Sequence, residues 1–245
     1  MFLFLQLVIS SFVYAFDCEN EKNIEHVLNQ VDLKVNSSDL ISCKVNPQNK
    51  NQLLIAYAVQ QSVEKDISVG DYQLYILAVN HQNHRVEYFY PVGKTLISDA
   101  LYLEEINWDF APYIVEPNHR VIGLRLKNYG RSIPNPYNIE VLNLYDLDNK
   151  KQILDRLIIY QYVEETDMYC NADIEERNSV LVMQPTQTNQ YFDIQVKSRI
   201  ENYEMVGTEE DCIEVNRKKS KHNFILKFDG KQYQIPKQYQ QDYKY

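Results

Sequence analysis

Glycine is scarce, with six residues in a chain of 245. So little of it argues against the glycine-rich loops whose backbone amides cradle phosphate groups. Positive charge is also short: 25 Lys and Arg stand against 34 Asp and Glu, a formal charge of −9. A general nucleic-acid binder needs a basic surface to release counterions from the phosphate backbone, so no nucleic-acid partner is expected. The four cysteines lie far apart and form no CxxC, which removes the usual zinc spacings. Neither a GxSxG elbow nor an HExxH helix occurs. No cofactor is expected. Beyond the N-terminus, no segment is apolar over the length that a membrane-spanning helix requires.

What is present is the material of a folded domain. The chain is 44% hydrophobic and 12% aromatic, which excludes a disordered polymer. A chain of this length buries enough surface to fold without a metal or disulfide. It fits a single domain of the larger all-β kind.

The first residues bear on compartment. Met1 to Ala15 read MFLFLQLVISSFVYA, an apolar run ending in a small residue, and polar Asp17-Cys18-Glu19-Asn20 follows at once. This is the layout of a secretory signal peptide cleaved after Ala15, although no Lys or Arg precedes the apolar run. The expected organisation is a signal peptide over 1–15 and one β-rich domain over 16–245. The protein is then exported, periplasmic or secreted. Four cysteines behind such a segment read as two disulfides in an oxidising compartment. Three pairings are possible, and sequence order favours Cys18–Cys43 and Cys170–Cys212.

Hydrophobic period gives the fold class. Ile24, Val27, Leu28 and Val31 mark one short amphipathic helix over Glu21 to Val31. Gln52 to Val59 is a continuous apolar run, as in a strand buried on both faces. Asp71 to Asn80 alternates, and with Arg85 to Tyr90 it forms a hairpin across His81-Gln82-Asn83-His84. His119 to Lys127 alternates too. Tyr137 to Leu147 and Gln152 to Val163 make another pair, turning at Asp146 to Lys150. Val180 to Met183 and Tyr191 to Val196 follow, with Pro185 and Thr186 between them. Asp229-Gly230 separates Asn223–Phe228 from Lys231–Ile235, a hairpin signal in which both turn residues take positive φ. About a dozen strands and almost no helix predict an all-β, mainly antiparallel fold, sandwich or jelly-roll-like, with one N-terminal helix. A β-propeller is the alternative.

Several ordered motifs, Cys43-Lys44, Ser98-Asp99-Ala100-Leu101, Asp109-Phe110-Ala111-Pro112-Tyr113, Arg120 to Arg125, Asn135-Pro136-Tyr137, Cys170 and Phe228-Asp229-Gly230 with Tyr233 and Pro236, span most of the mature chain. Together they resemble an uncharacterised family of exported bacterial proteins. The resemblance implies secretion and a mostly β fold, and carries no catalytic residue.

Candidate sites are few. His81 and His84 have HxxH spacing near Glu87 without an evident third ligand. Asp146, Asp148 and Asn149 open like a calcium loop but run into Lys150-Lys151, so an Asx turn is expected instead. Asn107 to Tyr113 (NWDFAPY) holds the chain's one Trp. Trp108, Asp109, Phe110 and Tyr113 combine ring faces with polar edges, a mixture suited to docking sugar or peptide. The same Trp could instead plug one end of a sandwich. Glu104, Glu105 and Asp109 lie within one strand-and-turn segment and could serve a glycosidase, provided they converge. From Glu214 to Tyr245 eight basic and three acidic side chains leave a surplus of five, so the rest of the chain carries −14. Its basic run, Arg217 to Lys221, could touch an anionic surface such as lipid headgroups or cell-wall polymer, but the favoured reading is a solvated loop before the last hairpin, answering acids of the same molecule.

The expectation is an exported, non-catalytic β-protein that binds a partner, a protein or polysaccharide of the cell envelope. A secreted hydrolase acting on glycan through paired carboxylates is the alternative, and a structural envelope component the third reading.

Overall fold

The computed structural model describes residues 16–61, 70–98, 100–208, 210–237 and 239. The expected signal peptide lies outside them. The fold is mainly antiparallel β, with one helix and twelve strands among the described residues.

Helix α1 spans Glu21–Asn29. Asn20 caps it by accepting a hydrogen bond from the Lys22 amide, and Ile24, Val27 and Leu28 form its buried stripe. The first sheet is a four-stranded meander of β1 (Leu40–Asn46), β2 (Asn49–Gln60), β3 (Tyr72–Asn80) and β4 (Val86–Leu96). Strand β2 is buried on both faces, as its apolar run predicts. Leu53, Ile55 and Tyr57 pack under α1, while Leu54, Ala56 and Ala58 face the second sheet.

That second sheet has eight strands, again in sequence order. These are β5 (Leu101–Glu116), β6 (His119–Gly130), β7 (Tyr137–Asp146), β8 (Lys151–Thr166), β9 (Ala172–Thr188), β10 (Tyr191–Thr208), β11 (Asp211–Phe228) and β12 (Tyr233–Gln234). Alternate residues of β7 serve two cores. Ile139 and Val141 pack against the small sheet; Leu142 and Leu144 pack with Ile194, Val196, Phe224 and Leu226 of β10 and β11. The result is a sandwich-like stack whose strands connect as meanders rather than by the crossovers of a jelly roll.

Both cysteine pairs are bridged as sequence order favours. Cys18–Cys43 ties the segment before α1 to β1, and Cys170–Cys212 ties the β8–β9 turn to the start of β11.

Three local expectations are corrected. Strand β9 runs through Pro185 to Thr188, and the turn falls at Asn189-Gln190, both at positive φ. The proline is tolerated because Gln184 to Thr186 lie in a bulge opposite the buried Asp193, whose carboxylate accepts from the Thr186 and Thr188 hydroxyls at 2.8 and 2.7 Å. In the last hairpin only Gly230 takes positive φ (98°); the Asp229 carboxylate accepts from the amides of Lys231 and Gln232, so the turn is wider than the two-residue type. Finally, the basic run Arg217 to Lys221 belongs to strand β11, not to a loop.

Candidate functional site

The Asn107–Tyr113 segment is the middle of β5 and turns inward. Between Asp109↔Gly123 and Tyr113↔Val121 the pairing skips, so three residues of β5 bulge against one of β6. Trp108 is buried in the core between the sheets. Its Nε1–H is shared by the carbonyls of Ser42 (3.1 Å) and Leu54 (3.0 Å), and its backbone N–H donates to Ser42 Oγ. The indole therefore joins β5 to β1 and β2. Half-buried Phe110 stacks on it, with ring centroids 6.2 Å apart.

Asp109 is buried opposite Gly123, where any Cβ would stand 2.9 Å from the Asp109 Cβ. Its Oδ2 accepts from Arg125 Nε at 2.8 Å and the Tyr113 hydroxyl at 2.9 Å; its Oδ1 accepts from the Ala111 amide. Burial, then the neighbouring Asp109 carboxylate, raises the Tyr113 phenol well above the ordinary range. Arg120 reaches across to the carbonyls of Phe110 and Ala111. Trp108, Asp109 and Tyr113 thus hold a bulge together from inside. Docking at Trp108 would call for an exposed groove or edge strand there; β5 is the edge strand of the large sheet, but the Trp108 ring is buried and its faces are spent on packing. Nor do the three acids converge. Glu104 pairs with Lys127 at 2.8 Å, Glu105 is exposed on the strand, and Asp109 is committed to Arg125.

The HxxH pair also separates. His81 Nδ1 lies 3.4 Å from the Lys50 carbonyl, whereas the His84 ring meets Phe16 edge-on at 5.1 Å.

At one end of the sandwich Asp146 anchors the β7–β8 turn. Its Oδ1 accepts from the Asn149 amide (3.2 Å) and meets His119 Nε2 (3.2 Å); its Oδ2 accepts from Asn149 Nδ2 (2.8 Å) and the Tyr191 hydroxyl (3.1 Å). Burial alone would raise this carboxyl. The Asn149 bonds and His119 outweigh it and hold the acid below its usual range. The same contact, added to burial, pushes Tyr191 up to about 12. Among the described residues, His119, Asp146 and Asp148 are the one group whose ligand atoms lie within 4.8 Å of one another. With each Asp146 oxygen already meeting two partners, the geometry is that of the expected Asx turn, reinforced by His119 of β6 and Tyr191 of β10. Beside it a polar cleft of about 500 Å³ opens between the sheets, lined by Asn46, Gln52, Tyr88, Arg120, Asp148 and Lys150.

The most unusual surface was not visible in any single motif. Directly paired residues share a face of a sheet. Lys127, Glu140, Tyr160, Asn178, Arg199 and Lys221 pair in turn from β6 to β11. The next row on the same face runs Tyr129, Asn138, Tyr162, Glu176, Glu201 and Lys219, and Tyr102 of β5 pairs with Tyr129. Tyr203 stands one row beyond. These five tyrosines are half-buried and belong to none of the three apolar cores; Tyr160 lies between Glu140 and Asn178, and Tyr162 between Asn138 and Glu176. Tyr102 and Tyr129 lie 5.8 Å apart between centroids. Guanidinium groups cover two of the rings: Arg131 sits 3.9 Å from the Tyr102 centroid and Arg217 sits 4.0 Å from that of Tyr203.

The signal was there in phase. On β6, Leu124, Leu126 and Asn128 are buried while Arg125, Lys127 and Tyr129 share the opposite phase. Tyrosines in the polar phase of several strands mark such a face, but register decides which of them meet.

Compared with protein-family models, curated proteins and solved structures, the chain finds no match in any of the three.

Proposed function

We propose that the chain is an exported, non-catalytic binding protein that captures an extended polysaccharide of the cell envelope on the uncovered end of one face of its large sheet. One observation carries the reading: tyrosines stand among hydrogen-bonding side chains in two adjacent rows across that face. Sugar rings present apolar C–H faces and polar edges, so they suit aromatic faces ringed by carboxylates, amides and guanidinium groups. Strands lie about 4.8 Å apart, which puts Tyr129 on β6 roughly 10 Å from Tyr162 on β8. The platform therefore extends across several strands, matched to a polymer rather than a small molecule.

Export is supported by the two disulfides, which persist in oxidising compartments. No helix among the described residues is long and apolar enough to cross a membrane. Binding is favoured over hydrolysis because the acids do not converge: Glu104 pairs with Lys127, and Asp109 pairs with Arg125, which Glu140 shares.

The test is a pull-down on a panel of insoluble wall and envelope polysaccharides, using the parent protein and a Tyr160→Ala/Tyr162→Ala double variant. Retention by at least one polymer, lost in the double variant at unchanged thermal stability, is expected. Retention by none, with in-cell crosslinking to a protein instead, would sink the reading.

A further inference from the structure

We infer that the captured polymer is anionic, its carboxylate or sulfate groups seated on a cationic patch formed by Arg199, Lys219 and Lys221 at the β10–β11 end of the tyrosine rows. The inference rests on the polysaccharide reading above and names the class of polymer.

The starting point is a conflict in the sheet. Arg199 and Lys221 lie directly opposite each other on adjacent antiparallel strands. Like charges in that position cost stability, and a sheet normally avoids them. Here the arrangement is reinforced. Lys219 follows on the same face of β11 and Lys197 precedes Arg199 on β10. Together with Ser220, the three patch residues border a shallow concavity of about 660 Å³. Arg199 and Lys219 are more than half exposed, so the charge faces water and not a core.

The acids nearby do not balance it. Glu201 is shared by Arg199, Arg217 and Lys219, and Arg217 also holds Glu214. Two carboxylates thus meet three cations; Glu176, paired with Glu201, adds a third acid and Lys197 and Lys221 two more cations, so five cations stand against three carboxylates. This local excess sits on a protein whose formal charge is −9. An anion bridging Arg199 and Lys221 would turn their repulsion into binding energy, with a guanidinium fork on one side and an ammonium on the other.

The patch continues the tyrosine rows. Arg199 is joined through Asn178 to Tyr160, and Lys219 through Glu201 and Glu176 to Tyr162. A chain lying along the first row would stack a sugar ring on Tyr160, with Tyr162 beside it in the next row, and bring its next charged groups to β10 and β11. A lipid surface fits less well, because the exposed apolar side chains beside the patch are Val180, opposite Lys197, and Val182, short valines that give little to insert among acyl chains.

The experiment compares one backbone with and without charge. Carboxymethyl cellulose and neutral hydroxyethyl cellulose are immobilised, and binding is read by interferometry over a series of salt concentrations. The proteins are the parent, Lys219→Glu/Lys221→Glu, and Lys227→Glu/Lys231→Glu as a charge-matched control outside the patch. Retention of thermal midpoint is checked for each, and Lys221→Gln replaces the first variant if it fails to fold. The inference expects preference for the carboxymethyl polymer, weakening with salt, and a loss of roughly tenfold or more in the patch variant but not the control. Equal binding of both polymers, insensitive to salt, would overturn it while leaving the polysaccharide reading standing. Equal loss in the control variant would reduce the effect to net charge and overturn it. Binding to phosphatidylglycerol vesicles with neither polymer retained would overturn it in favour of a membrane surface.

Discussion

Replacing Trp108 separates an interior anchor from a docking residue. The indole is buried, fills the space between the sheets, and shares one N–H between two carbonyls of the small sheet. Trp108→Ala removes that volume, and such truncations cost about 3–5 kcal/mol. Trp108→Phe keeps most of the apolar bulk but leaves the Ser42 and Leu54 carbonyls without their donor, a penalty of about 1–3 kcal/mol. In a domain of this size each kcal/mol moves Tm by roughly 2–4 °C. The alanine variant should therefore melt about 6–20 °C below the parent, and the phenylalanine variant should fall between them. Far-ultraviolet circular dichroism on heating and in urea gives both numbers. Because the chain has one Trp, the parent's fluorescence reads this site alone. Emission should be blue-shifted and poorly quenched by iodide until the protein unfolds. If both variants melt within the scatter of ordinary surface substitutions, about 0.5 kcal/mol, the interior assignment is wrong. Loss of partner retention at unchanged stability would then return Trp108 to a binding role.

Gly123→Ala should cost about 1–3 kcal/mol by overpacking, since the new methyl meets the Asp109 Cβ and Leu142 Cδ1 at 2.9 Å; an unchanged urea midpoint would contradict this. Asp146 titrates below its ordinary range, so its contribution is complete above about pH 4 and is lost as pH falls through the lower folded value. Asp146→Asn should flatten the acid limb of a stability–pH curve, and an unaltered limb would count against the turn anchor. Tyr191 runs the other way. Pushed up to about 12, it favours the folded state fully below pH 10, and that contribution disappears as pH climbs towards 12; replacing Tyr191 with Phe should remove one late-titrating phenol from the near-ultraviolet curve. Serine at both Cys170 and Cys212 should lower stability by about 2–4 kcal/mol, with hydrogen exchange rising first in the ends of β8 to β11 that this bridge clamps together.

Legibility followed burial. Helix α1, strands β2, β3 and β6, and the β7–β8 pair could be read because their apolar residues repeat at the period of the structure they form. The first half of β11 could not. From Asp211 to Asn223 no residue is buried, so no hydrophobic phase marks a strand, and order there comes from pairing with β10. The candidate site divided in the same way. The Asn107–Tyr113 segment stood out by composition, but whether an aromatic points inward depends on a bulge that composition does not encode. The tyrosine rows gather residues from β5, β6, β8 and β10, and only the register of the intervening strands brings them together.

In both sheets every strand pairs with its neighbour in sequence. Most strand pairings therefore close short loops, which keeps contact order low for so large a β-protein and lets each hairpin template the next. A chain that emerges N-terminus first can fold as it appears. Helix α1 and the small sheet can close around Cys18–Cys43 before β5 exists, and the long meander can then zip on strand by strand. The two bridges, spanning 25 and 42 residues, neither nest nor interlock. Each can form between the first partners to become available, so oxidation in order of appearance already yields the native pairing without reshuffling.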